Sequence, residues 1–254
     1  MKPPAPFRTS AAATPPNKAR RQRGAVLLIL LAVLALAGSS LLMSAFGGSN
    51  VQGRREQRTL MQLGQANDAL AGFAAANGRL PRPAISATDG RENPAPCASD
   101  EQCTGYLPWV ALGIDGADAW NKRLRYSVTP ALTTYAYRPD TAVATRTVQR
   151  RGADGELRYL AGGPACSLQA QCAALVVLSH GRRNYGVSRD GVEQVNASAT
   201  NDDETINASA STHFMSRVAS DNPNQPGGEF DDLLAWTPLN LLYSRMRAAR
   251  TLPN

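Results

Sequence analysis

One stretch constrains this chain more than any other: RRQRGAVLLILLAVLALAGSSLLMSAF, residues 20–46. A basic cluster runs into Gly24, and from Ala25 to Phe46 there is no charged residue across 22 positions. A helix rises about 1.5 Å per residue, so the run covers roughly 33 Å, enough to cross a hydrocarbon core of about 30 Å. Lys and Arg on one flank keep that side in the cytoplasm. Everything after Phe46 is therefore expected on the far side of the membrane.

The charge distribution agrees. Residues 1–24 hold six of the 27 basic residues and no acid, which leaves 21 basic against 20 acidic residues after Gly24. The basic balance is a topology signal at the N-terminus. Beyond it only short groups occur, such as Arg54/Arg55/Arg58 and Arg182/Arg183. A nucleic-acid surface needs clustered basic residues in the folded part, so nucleic acid is not expected as a partner.

The four cysteines, Cys97, Cys103, Cys166 and Cys172, form two C-x5-C pairs beyond the apolar run. Of the three connectivities open to four cysteines, local pairing is the simplest. Each bridge would close a short loop in an oxidising compartment. Zinc is the alternative, but it wants C-x2–4-C spacing or nearby histidines, and the two histidines, His180 and His213, are wrongly spaced.

Residues 1–24 read as a basic leader, 25–46 as a transmembrane helix and 47–77 as its continuation. Residues 78–254 read as one globular domain. In the continuation, Leu60, Leu63, Leu70 and Phe73 give an apolar stripe; Gly78, Pro81 and Pro83 end the helix. Alternation of Leu124, Tyr126 and Val128 predicts a strand. Further strands are expected at Tyr135–Tyr137, Leu157–Leu160, Ala174–Ser179 and Phe230–Trp236. Residues 196–212 read as a polar loop in which Asp202, Asp203 and Glu204 are solvated. Thr237 is expected to cap a last helix that has Pro238 at its first position. Trp109, Trp120 and Trp236 are expected as core anchors. The class is α+β: a long N-terminal helix packed on a small antiparallel sheet.

Several segments carry a resemblance. RQRGAVLLILLAVLAL, ALAGFAAANGRLPRPA, GYLPWVALGIDGADAWNKRLRYSVT, VVLSHGRRNYG and GEFDDLLAWTPLNLLYSRM together resemble the type IV pilin-like proteins, specifically bacterial pseudopilins and minor pilins. The resemblance implies a pilin-like fold, anchored in the inner membrane with its C-terminal domain in the periplasm. It implies cleavage by prepilin peptidase between Gly24 and Ala25, methylation of the new N-terminus, and assembly with other pilin subunits in a type II secretion system or type IV pilus. The competing cut, after Ala35-Leu36-Ala37, would discard the anchor. Three positions depart from the pattern: Ala25 stands where Phe is usual, Ile29 where a glutamate is usual, and Arg82 where a cysteine is usual. A carboxylate in hydrocarbon implies a partner, so Ile29 removes a subunit pairing and points to a minor or tip-like place. The alternative is a membrane-anchored or secreted periplasmic binding protein that does not polymerise.

No enzyme is expected. Ser179 and His180 are adjacent strand residues, which point to opposite faces and so make a poor dyad. Glu229, Asp231 and Asp232 follow a Gly-rich loop and are candidate calcium ligands, as some pseudopilins bind calcium in C-terminal loops. The plainer reading of this trio is exposed acids at a strand start. No other cofactor is expected.

Overall fold

In this computed structural model the described residues are 22–135 and 141–252, without the side chains of 22–26 and 37–50. Most of the basic leader, and Ala136 and Tyr137 of one expected strand, lie outside them. The chain divides into two units, Met1–Val51 and Gln52–Asn254.

The first helix, α1, is Gln22–Asn77. In the first unit, its large apolar side chains between Leu27 and Leu36 are all more than half exposed, from 55% at Leu31 to 70% at Leu36. Gly24 and Ala25 lie in its helical backbone. The transmembrane expectation over Ala25–Phe46 rests largely on side chains outside the described ones. Among the described residues no helix is long and apolar enough to cross a membrane.

In the second unit, α1 buries one stripe: Thr59, Leu63, Ala66, Leu70 and Ala74. Steps of three and four residues put these on one face. The stripe is narrower than expected, because Leu60 is 50% exposed. Small alanines let the helix approach closely, and Leu63 and Leu70 fill the gap against Leu124, Tyr126 and Val177. Gly78 takes φ +68° and its N–H bonds to Ala74 O, ending the helix.

The main sheet is antiparallel and orders its strands β1 (Thr104–Tyr106), β2 (Arg125–Val128), β5 (Ala173–Ser179), β7 (Leu233–Pro238). β5 is central and buried throughout, so it reads as an unbroken apolar run, AALVVLS. A second sheet orders β4 (Leu157–Ala161), β3 (Thr147–Arg151), β6 (His213–Met215), with β3 and β6 parallel. Short helices α2 (Trp109–Leu112) and α3 (Asp202–Ala208), a 3-10 turn (Pro130–Thr133) and α4 (Leu239–Ala248) complete the second unit. The class is α+β.

The strands expected around Tyr126, Leu157–Leu160 and Ala174–Ser179 are β2, β4 and β5. Three expectations are corrected. Tyr135 is in a turn, not a strand. Residues 196–212 contain α3, with Asp203, Glu204 and Asn207 buried. Asp203 is held between Arg151 and Arg217, each ion pair at 2.8 Å, and those cations keep it out of solvent. α4 begins one residue late, with Pro238 as N-cap and no side-chain cap, because Thr237 and Pro238 still pair with β5.

Both local disulfides are present, Cys97–Cys103 and Cys166–Cys172. Cys97, Cys103 and Cys172 are buried in the main core, so each bridge ties a surface loop to the interior. Arg82, where the resemblance led us to expect a cysteine, instead joins Arg79 on the Glu92 carboxylate, which staples the Pro-rich segment after α1.

Candidate functional site

The chemistry-bearing residues converge beside the end of β5, around the ammonium of Lys122. Asp118 builds the approach. Its Oδ1 accepts from the backbone N–H groups of Trp120 and Lys122, each at 2.9 Å, and its N–H bonds to Lys122 O. Asn121 takes φ +68° inside this turn, a conformation that asparagine tolerates. The DAWNK segment is thus a closed turn that drives Lys122 inward.

The chain after β5 wraps that side chain. Lys122 Nζ donates to the carbonyls of Arg183 at 2.7 Å, Asn184 at 3.0 Å and His180 at 3.3 Å. An ammonium has three protons, and all three are used. The wrap needs unusual backbone: Gly181, Asn184, Tyr185 and Gly186 all have positive φ. Gly186 lies against the Lys122 stem, where an added Cβ would meet Cδ at 2.9 Å. At Gly181 a Cβ would meet Asp231 O at 2.3 Å.

Carboxylates surround the cage. Glu204, from α3, accepts from Asn184 at 3.0 Å and Asn201 at 2.7 Å, and also from the N–H of Asp231 at 2.8 Å. Asp231 accepts from the N–H groups of Arg182 and Arg183. Asp232 accepts from Asn207 at 2.8 Å, and its other oxygen faces His180 Nδ1 at 3.4 Å. Burial pushes the Lys122 ammonium down, while Asp231, Asp118, Asp232 and Glu204 pull it back up. Burial, with Glu204 alongside, raises Asp231 to about 7.

The expected site residues are redistributed. Asp231 and Asp232 meet Glu204, with one oxygen from each within 4.8 Å of the others. Glu229 is elsewhere, accepting from Ser198 and Thr200. The reading of exposed acids also fails, because Asp232 is 3% exposed. Calcium takes about 6–8 oxygens. The three carboxylates carry six oxygens, but both of Glu204 and one each of Asp231 and Asp232 already accept from protein N–H groups, which leaves two, and the charge of Lys122 bears on the same cluster. The residues do not fit a calcium centre; the cation of this site is Lys122. Sequence reading missed Lys122 and Glu204, since nothing in their spacing links them.

Ser179, the last residue of β5, and His180, just beyond it, turn to different partners. Ser179 Oγ donates to Asp118 at 2.5 Å, and His180 faces Asp232. The three tryptophans are half-buried; Trp109 carries the Arg123 guanidinium 3.7 Å from its ring centroid.

Comparison with family models, with curated proteins and with solved structures finds no match for this chain.

Proposed function

We propose that this protein is a non-enzymatic, pilin-like subunit, a minor pilin or pseudopilin of a type II secretion or type IV pilus-like assembly. The observation that carries this reading is the contrast along α1. Its second-unit part buries one stripe against a sheet, while Leu27–Leu36 exposes large apolar side chains on all sides. An all-round apolar helix surface is stable only in hydrocarbon or among other helices. The sequence continues that run to Phe46 and places Arg20, Arg21 and Arg23 before it.

In this reading prepilin peptidase cuts between Gly24 and Ala25, and the Ala25–Phe46 helix holds the subunit in the inner membrane. The second unit lies in the periplasm, where its two disulfides persist. Close packing through Ala37, Gly38, Ser39 and Ser40 brings the helix beside those of other pilin subunits. Ile29 brings no carboxylate to that bundle, which suits a tip-like place.

N-terminal sequencing of the protein from membranes, with and without prepilin peptidase, tests this. We expect a chain beginning at Ala25, N-methylated, that depends on the peptidase. A chain beginning at Gly38 would sink the reading, and an uncut chain would replace it with a plain anchor.

A further inference from the structure

The β3–β4 hairpin carries a charge arrangement that the fold itself does not use. Arg150 and Arg158 are direct cross-strand partners. Like charges in that position repel and weaken the pair. Both residues are exposed, and neither has a carboxylate partner among the described residues. The adjacent Arg151 shows the contrast, paired with Asp203 at 2.8 Å.

The surroundings specify more than an anion. β4 ends its sheet, so its outer side has no strand beside it among the described residues. Leu157, Tyr159 and Leu160 are 44%, 37% and 45% exposed along it. The two arginines, Tyr159 and Leu160 line an open groove of about 540 Å³ with the hairpin loop, whose Asp154 also lines it, so two guanidiniums face one carboxylate and the groove stays net positive. Charged side chains on an edge strand deter unwanted pairing. The second arginine, on the inner strand, adds repulsion without adding such protection.

We propose that the free edge of β4 receives an extended, acidic segment of a partner protein, which adds as a strand. Its carboxylates sit against Arg158 and Arg150, and its apolar side chains cover Leu157 and Tyr159. Main-chain hydrogen bonds supply affinity in this mode, and alternate side chains supply specificity. A free oxyanion would use the guanidiniums and leave the apolar side chains uncovered. A second copy of this chain would bring two more arginines to the same place, and the repulsion would grow.

The test uses the full chain and a synthetic peptide of alternating glutamate and valine, followed by backbone amide NMR and fluorescence anisotropy. We expect saturable binding that shifts the amides of residues 157–161. The double variant Arg150→Gln/Arg158→Gln should weaken it by about tenfold or more. The same variant should melt no lower than the parent, which separates lost binding from lost folding. A peptide N-methylated at alternate amides, unable to complete the ladder, should not bind. Any of four results would overturn the proposal: no binding of the acidic peptide; equal binding of a lysine–valine peptide; inorganic phosphate producing the same amide shifts; or a self-association of the chain that the double variant abolishes. None of these depends on where the N-terminus is cut, so failure here leaves the pilin-like reading standing, and the reverse holds.

Discussion

Two groups of cations in the second unit teach opposite lessons. Lys122 is buried and has everything a buried ammonium needs: three carbonyls within 3.3 Å and a ring of carboxylates. Arg150 and Arg158 are exposed, face each other and form no ion pair among the described residues. A buried charge must be matched within the fold, because desolvation costs several kcal/mol. A surface charge need not be matched, so an uncompensated surface pair can be kept for something outside the chain. The first group is matched inside the fold, and the second is the one that we propose a partner completes.

The sharpest way to break this comparison is Lys122→Met. Removing the ammonium leaves three carbonyls and several carboxylates without their cation, and the expected loss is about 3–5 kcal/mol of stability. Chemical denaturation of the variant checks it; a loss under about 1 kcal/mol would mean that the cage is not structural.

The pH dependence of the cage comes next. Asp231 titrates near 7 in the folded protein against an ordinary value of 3.8. The folded state therefore binds the extra proton between those values, and stability falls as pH rises through that window. Between about pH 5.5 and pH 8 the fall should be about 2 kcal/mol. Melting curves across that range should show it, and Asp231→Asn should flatten the slope while keeping the fold.

Gly181→Ala tests the wrap from the backbone side. Its φ of +58° and the 2.3 Å approach of Asp231 O leave no room for a methyl group. A loss of about 2 kcal/mol is expected in the same denaturation assay. Arg158→Gln should move the other way, stabilising the protein by about 0.2–1 kcal/mol as cross-strand repulsion disappears. The smallest effect concerns calcium: with Lys122 as the resident cation, adding calcium or chelator should leave the melting temperature unchanged, and a clear rise with calcium would restore the metal.

Local patterns carried much of the fold. Alternation at Leu124, Tyr126 and Val128 and the apolar run at Ala174–Ser179 mark β2 and β5, because a strand's faces repeat every two residues or are buried on both sides. The C-x5-C spacings mark the disulfides because short loops bring their ends together cheaply. Residues 196–212 could not be read this way. Asp203, Glu204 and Asn207 look solvated in any window of sequence, and they are buried because Arg151, Arg217, Asn184 and Met215 arrive from other elements and loops of the fold. β6 was hidden for a related reason: three residues, HFM, carry too little pattern to announce a strand.

Hydrophobic period, cysteine spacing and the run of apolar residues after a basic cluster are short-range properties. They determine which segments form helices and strands, which cysteines pair, and where a basic cluster gives way to an uncharged apolar run. The pairing of Lys122 with the loop after β5 and the meeting of Glu204 with Asp231 and Asp232 join residues 27 to 62 positions apart in the sequence. The facing of Arg150 by Arg158 depends on how a hairpin closes and on the bulge that sets its register. Only the folded chain decides these, since electrostatic partners are chosen by proximity in space, and the one-dimensional pattern holds no record of it.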